Sequence, residues 1–330
     1  MSAPGTLAAI VWTAESTTAL LEKTLEPLAL GACRPDEIVV LAAALTEPTA
    51  ELVAAYSRRH LGLLPPKRDE GSRSLEAFDK AIPLGLEMAR ADWVLILAAG
   101  EVVRPDALAR ALVLAREHPS AGAVLARAAT FDPAGALASH CRGIPGRADA
   151  GFETGARFRE LTLRGEADPL DHVVPGAALL RRDALLALGG VRPALGTLGL
   201  PVAVWTLAAL HGAACLPEPL VDEQGPVRDI ERALIEDLGS LVEPVRHLDA
   251  LERHVPREDA RRFQERLRER IRANARATLA AACDTLEGAT RILAAGDEAA
   301  LADRALVRLL ELTVGLERGL LRPPPGETNA

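Results

Sequence analysis

Three features that the sequence lacks each exclude a class of protein. Its four cysteines, Cys33, Cys141, Cys215 and Cys283, form no Cys-x-x-Cys pair, so we expect neither a zinc site nor a disulfide framework. No segment reaches the ~20 apolar residues of a membrane-spanning helix, and no positive region precedes the first apolar run, so we expect a cytoplasmic protein without a membrane span. The formal net charge is -8 and no basic stripe dominates, which argues against a general nucleic-acid binder.

The sequence does contain enough apolar material for a large core. Of its 330 residues, 49% are hydrophobic and 25% are charged, which is ordinary for a globular protein and leaves room for one large domain and a smaller one. Strand and helix patterns alternate along the first two thirds of the chain, which predicts a parallel α/β sheet. The predicted strands are 7–12, 38–41, 61–64, 93–97, 122–130, 173–180 and 213–220, and the predicted helices include 16–30, 75–89, 105–117 and 202–211. Between 132 and 171 we expect edge strands and a functional loop.

The clearest strand is the continuous apolar run from Trp93 to Leu97. It stops at the small residues Ala98, Ala99 and Gly100 and is followed by Pro105 and a new helix. This pattern is typical of a buried parallel strand, and ligands of open α/β sheets bind outside the carboxyl ends of such strands. We therefore expect residues 98–101 at the rim of any pocket.

The strand patterns end near residue 225, where only helical patterns remain. This change predicts an α/β domain over 1–225, a helical C-terminal region over 226–322 and a flexible tail over 323–330. A long helix is predicted to begin at Pro256, with apolar residues recurring every three or four positions. Because that apolar stripe must be covered, residues 256–321 are predicted to bind a second copy of the chain or another protein, or to pack on the first domain.

Several segments, in order, resemble landmarks of family 2 glycosyltransferases of the GT-A fold. They are residues 9–13, residues 35–40 running into Thr46, residues 91–108, and the segment from Leu179 through Gly189-Gly190 to His211-Gly212. The resemblance covers roughly residues 5–225. It implies a Rossmann-like, mostly parallel sheet flanked by helices, with the all-helical C-terminal region as an appendage. It also implies transfer of a sugar from a nucleotide-diphosphate donor.

The sequence departs from this family at each acidic motif that the resemblance would supply. The two aspartates of the family's Asp-x-Asp metal motif correspond to Ala98 and Gly100, and the acidic pair after the second strand corresponds to Ala42-Ala43. The late Glu-Asp pair, which supplies the general base of inverting members, corresponds to Leu200-Pro201. None of these side chains can ligate a metal or remove a proton from a hydroxyl.

These losses favour a glycosyltransferase-like protein without catalysis that acts as a scaffold, a protein partner or a nucleotide-sugar sensor. On this hypothesis no metal site and no cofactor are expected, and Mg²⁺ or Mn²⁺ would be needed only if the hypothesis is wrong. The alternative is an active, metal-independent glycosyltransferase that holds its donor with backbone amides and with arginines such as Arg104 or Arg181. A third hypothesis makes the helical C-terminal region the working part.

Some polar residues remain near the expected site. Thr13, Glu15, Thr46 and Glu47 follow the first two strands, where the nucleotide of a donor would lie, and Glu101 follows the altered metal motif. Thr and Glu at helix starts are equally explained as helix caps, and a lone carboxylate makes a poor metal site. These five residues are therefore weak candidates for nucleotide contacts.

Asp168, Asp171 and His172 form a compact cluster that could supply a base if activity survives. A carboxylate, or a histidine with a near-neutral pKa, suits that role. A turn at Asp168-Pro169 with a hydrogen-bonded histidine is the favoured explanation of the cluster.

Overall fold

The structure is a computed structural model of the chain. It describes residues 5–13, 18–42, 46–58, 63–68, 75–131, 137–140, 149–164, 175–191, 199–224, 256–262 and 265. Candidates Glu15, Asp168, Asp171 and His172 lie outside these residues.

The described residues form strands and helices that alternate along the chain. The strands are β1 Leu7–Thr13, β2 Glu37–Ala42, β3 Leu63–Arg68, β4 Trp93–Ala98, β5 Glu101–Val103, β6 Ala123–Phe131, β7 Leu137–His140, β8 Gly151–Glu153, β9 Ala178–Arg181 and β10 Ala213–Gln224. The helices are α1 Thr18–Leu30, α2 Glu47–Ser57, α3 Leu75–Met88, α4 Pro105–Glu117, α5 Gly155–Arg164, α6 Arg182–Ala187 and α7 Gly199–His211, with a 3₁₀ helix at Pro175–Ala177.

The strands form a single mixed sheet in the order β3-β2-β1-β4-β9-β6-β10-β5, with β7 beside β6 and β8 beside β10. Strands β3, β2, β1 and β4 pair in parallel, as do β6 and β10. Strand β9 is antiparallel to both β4 and β6, and β5 is antiparallel to β10. The mostly parallel sheet predicted from the sequence is confirmed, and its parallel strands all end at one edge, here called the carboxyl edge.

Helices cover both faces of this sheet, because strand side chains alternate between two apolar layers. On one face, Leu7, Ala9 and Val11 of β1 pack with residues of α1, α2 and α4. On the other face, Ala8 and Ile10 pack with residues of α3, α5, α6 and α7. All six residues of β4 are buried, as its continuous apolar run predicts.

Helix α4 has the bounds predicted from Pro105 and its apolar spacing. Three other elements differ from prediction. Strand β3 continues through Pro65 and Pro66 to Arg68, which is possible because β3 lies at the edge of the sheet, where a missing backbone N–H is tolerated. Strand β9 is shorter than predicted because residues 175–177 form the 3₁₀ helix. Between 132 and 171, the expected edge strands are present as β7 and β8, and helix α5, which was not predicted, lies there as well.

Two further sequence predictions concern the C-terminal region and the membrane. Residues 257–262 are helical, and Ala260 donates its backbone N–H to Pro256 O, so the predicted helix start at Pro256 is confirmed. The proposed boundary at 225 and the other helices of that region lie outside the described residues. Among the described residues, no helix has the length and apolar character needed to cross a membrane.

Candidate functional site

The carboxyl edge of the sheet brings together the ends of β1, β2 and β4. Thr13 is in register with Ala42, and Trp12 is in register with Ala98. Thr13 and Ala98 are each 1% exposed, and Ala42 is fully buried. The strand ends at which two of the family's acidic motifs would lie are therefore part of the packed core.

The backbone N–H groups at the end of β4 and in the turn that follows are hydrogen-bonded to acceptors within the protein. Ala98 N donates to Glu101 Oε2 at 2.9 Å, Ala99 N donates to Trp12 O at 2.8 Å, and Gly100 N donates to Thr24 Oγ1 at 2.9 Å. These three amides are thus engaged within the fold and do not form an anion-binding nest.

Gly100, at the second aspartate position of the motif, has a backbone that suits glycine. Its φ is +103°, in the region that residues with a Cβ rarely adopt. An aspartate at this position would therefore strain the turn.

Glu101 points into the protein. The residue is 1% exposed and its carboxylate accepts the Ala98 amide, as described above. A Cβ added to Gly176 would lie 3.2 Å from Glu101 Oε2, so the 3₁₀ helix passes directly over this carboxylate. In the antiparallel β5–β10 pair Glu101 is opposite Glu223, which is also buried.

This pair of carboxylates does not complete a metal site within the described part of the chain. No group of three or more His, Cys, Asp or Glu residues there could hold a metal ion. The side chains at the Asp-x-Asp positions contribute no oxygen ligand, so the described residues do not fit the Mg²⁺ or Mn²⁺ that the fold family implies.

The other nucleotide candidates occupy different environments. Thr46 is the N-cap of α2, where its hydroxyl accepts the Thr49 amide at 3.4 Å and lies 3.0 Å from Thr49 Oγ1. Glu47 is exposed in the first turn of the same helix, where its charge complements the helix dipole. Thr13 is buried at the end of β1. The capping interpretation explains Thr46 and Glu47 without a ligand, while nucleotide contact by any of the three stays a prediction.

Leu200-Pro201, which correspond to the family's late Glu-Asp pair, lie in the first turn of helix α7. Leu200 is 3% exposed and belongs to the apolar layer beneath the sheet. Residues 202–209 of the same helix are all buried. The start of α7 therefore contributes to packing where the family would present a carboxylate.

The two arginines considered for metal-independent donor binding do not converge. Arg104 forms an ion pair with Asp222, with distances of 2.6 Å from Nη2 and 2.8 Å from Nε to Oδ1. Arg181 lies at the opposite end of the sheet, because it is in register with Trp93 at the start of β4. There it donates to Ser120 O at 2.8 Å and pairs with Asp183 at 3.0 Å. The structure thus separates these two residues.

Shifted pKa values also occur at that opposite end, here called the amino edge. Partial burial lowers the pKa of His211, and the neighbouring Arg181 lowers it further, against the opposing effect of Asp183. For Asp92, burial opposes ionisation, but hydrogen bonds from Gly5 N, Thr6 Oγ1 and Thr6 N outweigh it and lower the pKa. Both groups lie where strands begin, far from the carboxyl edge.

No protein-family model matches the chain. No curated protein matches it significantly either. Solved structures do match. A mannosyltransferase from Pyrobaculum calidifontis, in complex with GDP-Man and Mn²⁺, is 19% identical with a TM-score of 0.52, and the match covers 97% of this chain and 88% of that one.

A fragment of TarS from S. aureus, in complex with UDP, is 16% identical with a TM-score of 0.52. The match covers 73% of this chain but 65% of the TarS fragment, so the chain spans slightly less than two thirds of that fragment. At these identities the likeness concerns the fold. Together with the sheet order and the two helical layers, it shows that the chain has the GT-A glycosyltransferase fold.

Proposed function

We propose that this protein is a non-catalytic glycosyltransferase-like protein that acts as a scaffold or as a partner of another protein. One observation carries the proposal: Ala42, Ala98 and Leu200, at the family's acidic positions, are buried apolar side chains in the core. If these residues stood in an open site in place of acidic side chains, they would line a pocket. Instead, they are packed against their neighbours.

The chemistry of sugar transfer explains why these positions matter. Departure of a nucleoside diphosphate builds up negative charge, which needs a cation or preorganised donors, and the acceptor hydroxyl of an inverting enzyme needs a base. In the described part of the carboxyl edge, Glu101 is turned inward and the amides of residues 98–100 already have acceptors. Loss of a general base alone costs roughly 10²–10⁴-fold in rate.

The same geometry favours a scaffold or partner over a nucleotide-sugar sensor. The solved structures that share the fold were obtained with GDP-Man and Mn²⁺ or with UDP. A sensor would still need donors for the diphosphate, and neither residues 98–100 nor Arg181 supplies them at this edge.

A turnover assay tests the proposal. The full chain would be incubated with UDP-, GDP- and dTDP-sugars, with and without Mn²⁺, and release of the free nucleotide would be followed over hours. We expect release no faster than in buffer, because hydrolysis and transfer share the same leaving group. Release that rises in proportion to protein concentration and survives repurification would contradict the proposal.

A further inference from the structure

Helix α7 is apolar on every side and must pack against other elements all round. Its residues 202–209 are all buried, and Trp205 and Leu207 are 2% and 0% exposed. A helix that is apolar all round is stable only when other elements surround it. The sheet covers one side, and α5 covers another through Phe158 and Leu161 of the same apolar layer.

The segment Pro256–Arg262, here called the terminal segment, reaches the same layer. Ala260 is fully buried and belongs to the apolar cluster that contains α5 and α7. By contrast, Arg257, Glu258, Arg261 and Arg262 are exposed. The terminal segment therefore buries one face and leaves the other to solvent.

Arg159 of α5 connects three elements at this place. Its Nε lies 2.9 Å from Asp259 Oδ2 of the terminal segment, and its Nη1 donates to Ala209 O near the end of α7. The side chains of Arg159 and Asp259 are 23% and 22% exposed, so water screens this ion pair less than it screens a surface pair. Helices α5 and α7 meet closely here, since a Cβ on Gly155 would lie 2.6 Å from Ala209 O.

We propose that the terminal segment is an intramolecular partner of the α/β domain, docked on the α5–α7 junction through Asp259 and Ala260. The partner that fits this surface is the terminal segment of the same chain, because it supplies a carboxylate for Arg159 and a small apolar side chain for the core. The face that carries Asp259 and Ala260 is then unavailable to a second copy or another protein. An external partner of this segment would have to use its exposed face.

Hydrogen exchange on the full chain tests this docking. The variants are Arg159→Ala, Asp259→Ala and Ala260→Gln, and the readout is amide exchange in a peptide that covers 256–262. We expect exchange there to become about tenfold faster or more in each variant, since local opening follows the loss of the contacts that hold a segment. Exchange in α1, on the other side of the sheet, is the internal reference for intact global folding.

Matched controls separate docking from a general effect of substitution. Arg164→Ala removes an ion pair with Glu160 in the same helix α5, and Arg261→Gln places the glutamine next to Ala260 on the exposed face. Both should leave exchange in 256–262 at the wild-type rate. The exchanged pair Arg159→Asp with Asp259→Arg should restore much of the protection that Arg159→Asp alone removes.

Wild-type exchange rates in 256–262 for both Arg159→Ala and Asp259→Ala, with α1 unchanged, would overturn the proposal. An equal acceleration in the controls would overturn it as well. The two alanine variants and the exchanged pair decide the question even if Ala260→Gln does not fold.

Discussion

The two edges of the sheet differ in where their polar groups lie. At the amino edge, Asp92 accepts hydrogen bonds from Gly5 and Thr6, Asp36 accepts the Leu7 amide at 2.8 Å, and Glu37 accepts the Arg90 amide at 2.8 Å. At the carboxyl edge, the corresponding strand ends are Ala42 and Ala98, and the nearby carboxylate of Glu101 is turned inward. In open α/β sheets ligands bind at the carboxyl edge, so polar side chains are expected there.

The two edges nevertheless share one feature. The carboxylates of Asp36, Glu37 and Asp92 at the amino edge and of Glu101 at the carboxyl edge all accept backbone N–H groups at or near strand ends. At the positions where the resemblance would place carboxylates for a metal, the carboxyl edge has Ala98 and Gly100.

Returning a carboxylate to the carboxyl edge should destabilise the fold. Ala98→Asp places an acid at a position that is 1% exposed and in register with Trp12, so we expect the free energy of unfolding to fall by roughly 3 kcal/mol, as for a buried unpaired charge. Urea denaturation measures this, with Ala99→Asp as the control because Ala99 is only partly buried. Wild-type stability together with new Mn²⁺ affinity in Ala98→Asp would show that the metal site is still formed.

Removing the inward carboxylate should have the next largest effect. Glu101→Ala leaves the buried Ala98 amide without its acceptor, which should cost about 2 kcal/mol of unfolding free energy. Glu101→Gln keeps an acceptor oxygen and should cost less than about 1 kcal/mol. If urea denaturation showed both variants to be equally unstable, the charge of Glu101, rather than its hydrogen bond, would be the important feature.

At the amino edge, Asp92→Asn should show a pH-dependent effect. Because the folded-state pKa of Asp92 is lowered, its contribution to stability is present above the unfolded-state pKa and is lost as pH falls through the folded-state pKa. The side chain is largely exposed, so we expect at most about 1 kcal/mol at pH 7. Urea midpoints of wild type and variant should differ at pH 7 and converge in acid, whereas a constant difference would contradict the assigned cause.

The smallest effect is expected for Arg104→Ala. The ion pair of Arg104 with Asp222 is partly exposed, with side-chain exposures of 41% and 22%, so its loss should cost no more than about 1 kcal/mol in thermal or urea unfolding. We expect no binding of UDP or GDP to the wild type or to this variant. Binding to the wild type that Arg104→Ala weakens would instead support the metal-independent alternative.

Elements whose pattern lies within a few neighbouring residues were predicted correctly from the sequence. Trp93 to Leu97 is a continuous apolar run, and Pro105 marks the first turn of α4, so both elements appear where expected. Helix α5 was missed although Thr154 accepts the Arg157 amide at 3.3 Å and Phe158 and Leu161 are three positions apart. Those signals are present in the sequence, but the helix is short and lies within an irregular region.

The direction of Glu101 could not be predicted from local sequence. It depends on the antiparallel pairing of β5 with β10, which places Glu101 opposite Glu223, and on the passage of Gly176 over its carboxylate. Both contacts join residues far apart in the chain. The alanines of the altered motifs were visible in the sequence, whereas their burial is a property of the folded sheet.

Calorimetric titration with UDP and GDP, in the presence and absence of Mn²⁺, shows whether the carboxyl edge holds a metal-dependent nucleotide site. With the wild-type chain, we expect that adding Mn²⁺ produces no nucleotide binding, because Ala98, Gly100 and Leu200 supply no ligand or base. Binding of either nucleotide that appears only with Mn²⁺ would contradict the absence of a metal site. It would require a metal site built from residues such as Glu101, Asp168 and Asp171.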